Sequence, residues 1–312
     1  MQEELSDHED LSIAPEERQA ATQRSTWSSV VVNIVLTAVQ LVVGVFSHSQ
    51  ALIADGIHSL SDLLSDFVVL LASHHSKKEA DHDHPYGHQR YETAASLVLG
   101  GLLLAVGIGM LISAFHKLEN PEAIPAVHSI ALWVAITALI AKEALFRYML
   151  KLAQKVKSSM LIANAWHARS DAASSLVVAI GIIGNLAGYP LLDPVAALIV
   201  GFMVSKMGWE FGWEALHDLM DRAADDEEVE AIRATLRDTP GVLGVHDVHT
   251  RKMGDMIMVD AHLEVDAQIT VEAGHEIAVL ARQRVMQRHR VLNLMTHLDP
   301  WHRHDGDHDT PR

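Results

Sequence analysis

Apolar residues are unevenly spread along this chain. They gather between positions 28 and 213 into runs close to the ~20 residues that cross a bilayer, with polar stretches on either side. Six spans are predicted, at about 27–46, 52–73, 93–115, 129–150, 160–186 and 191–213. The first, third and sixth are the most uniformly apolar. The second and fifth carry ionisable residues, and the fourth ends in Lys142, Glu143 and Arg147. Gly100, Gly101, Gly107 and Gly109 in the third span suit close helix packing in lipid.

Past Glu214 the pattern shortens to that of a soluble domain. Residues 225–238 read as an amphipathic helix closed by Thr239-Pro240-Gly241. Residues 242–251 and 256–266 read as a hairpin turning at Lys252-Met253-Gly254-Asp255. In its second strand Ile257, Val259, Ala261, Leu263 and Val265 alternate with Met258, Asp260, His262, Glu264 and Asp266. A helix at 270–289 and a strand at 291–298 complete an α-β-β-α-β order. The predicted fold class is an all-α six-helix transmembrane domain followed by a small two-layer α+β domain. The divisions are a polar acidic tail at 1–26, the membrane domain at 27–214, the α+β domain at 215–300 and a His-rich disordered tail at 301–312.

Composition narrows the function classes. A hydrophobic fraction of 49% exceeds that expected of an acidic soluble protein, and a net charge of −16 leaves no basic patch for nucleic acid. The first 26 residues lack the basic start and apolar core of a secretory signal and read as a solvated tail. Lys77, Lys78 and Arg90 follow span two, and Arg147, Lys151, Lys155 and Lys157 cluster after span four, whereas the opposite loops hold only Lys117. That asymmetry places both termini in the cytosol of a multi-pass cell-membrane protein. With no cysteine, any metal must be held by His, Asp or Glu, and there are 21 histidines.

Ionisable residues inside the spans carry the chemistry. His58 and Asp62 in span two, and His167 and Asp171 in span five, are each spaced i, i+4 and so share a helix face. A carboxylate at mid-bilayer costs at least about 2.5–3.5 kcal/mol, so such residues are rarely decorative. Two imidazoles and two carboxylates suit tetrahedral zinc. A metal-free proton relay is the competing account of the same residues. Asp55 and Asp66 read as lying near span ends, where they meet water. The loop Asp81-His82-Asp83-His84-Pro85-Tyr86-Gly87-His88 is broken by proline and glycine, so its side chains can converge. On the last strand His297 and Asp299 are two apart and point the same way. His249, His289 and the tail histidines (His302, His304, His308) read as surface.

Six spans, His-xxx-Asp on the second and fifth, and a terminal α+β domain resemble the cation diffusion facilitator family over about residues 27–300. The resemblance implies a metallochaperone-like cytosolic domain and a homodimer. It implies a transport site at His58, Asp62, His167 and Asp171, and loop ligands at Asp81, His84 and His88. It further implies a cytosolic-domain site at His246, His262, His275, His297 and Asp299, and a charged pair, Arg90 with Asp221, joining the two domains. Some relatives carry Asp where this chain has His58; the His form is associated with stricter zinc preference, the Asp form with cadmium acceptance.

The expected function is a Zn2+:proton antiporter exporting metal from the cytosol by alternating access, with zinc also bound to the cytosolic sites. Iron, cadmium, cobalt and nickel are alternative cargoes, and manganese is less favoured because it prefers oxygen-rich sites. A non-transporting membrane metal sensor or a metalloenzyme is the alternative of another class. No enzyme is expected: a di-iron oxygenase needs several His boxes, and the metalloprotease pattern fails because His275-Glu276 has no histidine three residues on.

Overall fold

The structure, a computed structural model, describes residues 15–301 apart from 77, 79, 121, 123, 157, 158 and 255. The tail histidines 302, 304 and 308 and the side chain of Asp66 lie outside the described residues. Six long helices come first: α1 (Pro15–Phe46), α2 (Gln50–Ser76), α3 (Arg90–Glu119), α4 (Ile130–Lys155), α5 (Ser159–Leu186) and α6 (Leu192–Leu219). Then follow α7 (Asp226–Arg237), β1 (Gly244–Met253), β2 (Met256–Asp266), α8 (Val271–Arg288) and β3 (Val291–Trp301). Helix α1 begins twelve residues before the first predicted span, at Pro15, whose fixed φ and missing N–H suit a first helical position.

The described residues form two compact units. One runs to Phe67 and resumes at Gly101–Trp209; the other takes Val68–Gly100 and everything from Glu210.

The first unit is apolar outside and partly polar inside. On α1, Trp27, Val31, Ile34, Val35 and Val42 are exposed, while Thr37 and Gln40 are buried. That inversion is stable only where the surroundings are lipid. Among the described residues, Gln23–Phe46, Arg90–Glu119 and Leu192–Leu219 are long and apolar enough to cross a membrane by length and composition alone. Gly107 of α3 packs so close to α6 that a Cβ would sit 2.6 Å from the Ser205 nitrogen. Gly101 and Gly109 face open space, so the predicted glycine packing rests on Gly107 and on the buried Gly100, which lies against Gly212. Helix α2 has no acidic residue in its first turn. Its start is capped instead from α6: the buried Asp193 carboxylate accepts from Ser49 Oγ (2.5 Å) and from the backbone N–H of Gln50 (2.7 Å).

In the second unit β1 pairs antiparallel with β2 and β2 parallel with β3, in the order β1-β2-β3. Ile232 and Leu236 of α7, Val259 and Leu263 of β2, and Ala281 and Val285 of α8 are fully buried in one core. The predicted alternation in β2 therefore selects the correct face. Three acidic residues stand in the first turn of α7, where the helix dipole favours them. Thr270 caps α8 by accepting from the Ala273 N–H.

Candidate metal centres

Within the helical unit, α2 and α5 bring His58, Asp62 and Asp171 together, with one donor atom from each within 4.8 Å of the others. His58 Nε2 lies 3.8 Å from Asp171 Oδ1, and His58 Nδ1 lies 3.9 Å from Asp62 Oδ2. Bonds of about 2.1 Å at tetrahedral angles set donors about 3.4 Å apart, so these groups need only a small contraction to share an ion. His58 is 5% exposed, and its Nδ1 has no hydrogen-bond partner among the described residues. A buried polar atom without a partner is costly, which is what a donor awaiting a cation looks like. His167 shares the α5 face of Asp171 and lies close enough to both His58 and Asp171 to interact electrostatically, but its ring is exposed and outside the donor group. Arg169, between them in sequence, is held over the Phe146 and Trp166 rings at 5.0 Å each and takes no part.

Asp55 does not meet water, contrary to the expectation from its sequence position. It is fully buried one helical turn before His58, and Gln40, Lys142, Ser174 and Ser175 all donate to its carboxylate. Its partners lie on three other helices, and nothing in the local sequence reveals them.

In the second unit the loop before α3 gathers all three of its predicted donors. Asp81 Oδ1 is 3.4 Å from His84 Nδ1, and Asp81 Oδ2 is 3.3 Å from His88 Nε2. Asp81 also accepts from the backbone N–H of His84 (2.7 Å) and of Asp83 (3.0 Å). The His84 N–H foremost, then His88 nearby, holds the Asp81 carboxyl below its usual value, so it offers an ionised ligand. The same unit contains the predicted ion pair of Arg90 with Asp221, and an open pocket of about 570 Å³ lined by Tyr86, Tyr91, Met253 and Met258. Met258, predicted on the polar face of β2, is buried there.

The sheet carries a row of histidines, because His246, His262 and His297 are register partners across β1, β2 and β3. Asp299 reaches all three: 3.3 Å to His246 Nε2, 2.9 Å to His262 Nδ1 and 3.3 Å to His297 Nε2. His246, His262 and Asp299 form the compact donor group. His275 is exposed on α8 and outside it. His289, predicted as surface, is half-buried and shares a 2.7 Å hydrogen bond with Thr235 Oγ1.

Residues 26–220 match the cation efflux transmembrane domain, and residues 224–301 match the cation efflux protein cytoplasmic domain. The chain belongs to the cation efflux family. Its members are metal transporters and not enzymes. The manganese efflux system protein MneS of Bacillus subtilis (strain 168) is 33% identical over 277 residues, 87% of this chain and 93% of that one. The metal tolerance protein C1 of Arabidopsis thaliana is 33% identical over 286 residues, 86% of this chain, and the chain spans only 60% of that longer relative. The metal-bound C-terminal domain of the CzcD transporter from Thermotoga maritima is 26% identical, with a TM-score of 0.23, over 25% of this chain and 94% of that one.

Proposed function

We propose that this cation efflux protein is a Zn2+:proton antiporter whose transport site is built from His58, Asp62, Asp171 and His167. The observation that supports it most is the buried His58 ring, unpartnered at Nδ1, facing carboxylates from two helices at 3.8 and 3.9 Å. A rotamer change at His167, one turn before Asp171, would complete a tetrahedral set. Ligands must shed any protons they carry to bind metal, so loading the site releases protons and unloading takes them up. Exchange of that kind, with the site opening alternately to each side, couples an inward proton gradient to outward metal movement. The termini are assigned to the cytosol of the cell membrane on the lysine and arginine asymmetry of the loops. The cytoplasmic domain is assigned as the contact of a homodimer. Zinc is assigned to Asp81, His84 and His88 and to His246, His262, His297 and Asp299, with His275 joining only if α8 or its side chain moves.

A second reading, manganese as cargo, is favoured by one observation. The donors assembled in the structure are one imidazole and two carboxylates, a more oxygen-rich set than the tetrad. The relative MneS is a manganese efflux protein.

The protein reconstituted into vesicles holding a metal-sensitive dye decides between these readings. Zinc uptake should be faster with an opposing proton gradient and slow when an ionophore collapses it. Asp171→Ala should abolish uptake while the protein still elutes as the parent does. Uptake by Asp171→Ala near the parent's rate refutes the site, and manganese outrunning zinc selects the second reading.

A further inference from the structure

The helical unit buries an ion pair that metal binding does not consume. Lys142 of α4 is 2% exposed and Asp55 of α2 fully buried, with Nζ 3.3 Å from Oδ1. The other donors to the same carboxylate are Gln40 of α1 and Ser174 and Ser175 of α5, the two serines at 3.1 and 2.7 Å. Oδ2 accepts from Gln40 and Ser175 and Oδ1 from Lys142, while the one Ser174 hydroxyl proton is shared between Oδ1 and the Asp171 carbonyl, so both Asp55 oxygens face protein donors. A buried ion pair is not retained for stability alone, because an apolar replacement of similar volume is often as good. In lipid the incentive to discard it is stronger still.

The network ends at the transport site. Lys142 Nζ reaches the backbone carbonyl of Asp171 at 3.5 Å, and Ser174 Oγ reaches the same oxygen at 2.7 Å. Asp55 is three residues from His58 on one helix, so their side chains lie on one face. The backbone that presents Asp171 is therefore held against the helix that presents His58 through Asp55 and Lys142. The charges also sum in a telling way. Asp62 and Asp171 supply two negative charges for a divalent ion, and Lys142 cancels a third that Asp55 would otherwise add.

We infer that Asp55 and Lys142 are positioning residues of the transport site, an internal ion pair that fixes α5 against α2 and sets the charge of the site to match a divalent cation. The inference rests on the transport site proposed above. Breaking the pair from either side should move metal affinity in opposite directions. Asp55→Asn leaves the Lys142 cation uncompensated beside the ligands and should raise the KM for zinc at least about tenfold. Lys142→Gln keeps a donor for Asp55 but leaves an extra negative charge. It should lower KM and, by slowing release, lower the maximal rate. The double variant Asp55→Asn/Lys142→Gln keeps hydrogen bonds without net charge and should return KM to within about threefold of the parent.

The measurement is zinc uptake into vesicles against zinc concentration, with elution position as the check on folding and Asp171→Ala run alongside. Opposite shifts in the single variants and return in the double support the pair. Shifts of the same sign overturn it, as does failure of all three variants to elute as the parent does, since the pair would then serve folding alone. If Asp171→Ala transports normally, the site reading has failed; if Asp171→Ala is inactive while the pair variants keep the parent's KM, only the pair has failed.

Discussion

His58 in the helical unit and His262 in the cytoplasmic domain each face carboxylates, but their side chains are 7% and 37% exposed. The donor spacing differs as well: 3.8 and 3.9 Å around His58, against 2.9 and 3.3 Å around Asp299. Around His58 the desolvation cost is high and the groups stand slightly apart, and Asp55 with Lys142 holds the backbone in place. On the sheet face, water satisfies whatever the donors leave unsatisfied, and strand register alone aligns three histidines. A site that must release its ion in every cycle gains from incomplete closure, whereas a surface site tolerates closure because its ion has no barrier to cross. On the function proposed above, the cytoplasmic cluster would hold metal and the helical cluster would pass it on.

The largest expected effect tests that division directly. Asp62→Ala removes a ligand from the buried cluster and should reduce vesicle zinc uptake at least about a hundredfold, since only one carboxylate remains beside His58 to neutralise and hold the ion. Asp299→Ala removes the carboxylate that joins three sheet histidines, yet should leave uptake within a few-fold of the parent. Its effect should appear instead as a loss of zinc-dependent protection of β1 to β3 from hydrogen exchange, which His289→Ala should not share. Equal loss of uptake in both variants would end the distinction between passing and holding sites.

Much of this contrast is legible in the sequence, for local reasons. A period of four brings His58 to Asp62 and His167 to Asp171, and a period of two brings His297 to Asp299; neither needs knowledge of a partner. The bounds of β2 emerge intact from its alternation. Strand β3 runs past the predicted end at Leu298 because Pro300 and Trp301 pair with Val265 and Asp266. Proline is tolerated there since β3 is an edge strand. What the sequence hides is long-range. Asp55 meets Lys142 across 87 residues, and Asp193 caps α2 across 143. Such pairings depend on how helices are placed, which no local pattern states. That His167 and His275 stand outside the donor groups belongs to the same class: spacing selects a helix face but not which way a ring turns on it.

An intermediate effect is expected from His58→Asp. Exchanging the buried imidazole for a third carboxylate makes the set harder and more anionic. Cadmium uptake should rise relative to zinc by several-fold, and manganese with it. The reciprocal change on the sheet, His262→Asp, should leave the uptake ratios untouched. An unchanged zinc-to-cadmium ratio in His58→Asp would remove selectivity from the buried cluster.

The smallest effect concerns the loop donors, where exposure and hydrogen bonding pull apart. Asp81 is 54% exposed at its side chain, yet the backbone N–H of His84 holds its carboxyl below the usual value. A depressed carboxylate stabilises the folded loop above its ordinary value of 3.8, and that contribution is lost as pH falls through the lower folded value. Between pH 5 and 8 Asp81 is therefore ionised throughout. Any change in zinc binding by the loop over that range belongs to groups other than Asp81. Asp81→Asn should weaken zinc binding at the loop by a roughly constant factor across this window, leaving the midpoint of its pH dependence in place. His84→Gln should weaken binding further, because an imidazole ligand is lost outright. Tryptophan fluorescence titrations with zinc at stepped pH read both. A midpoint that moves in Asp81→Asn would mean that Asp81 itself titrates near neutrality, and the loop would then resemble the buried cluster more than the sheet.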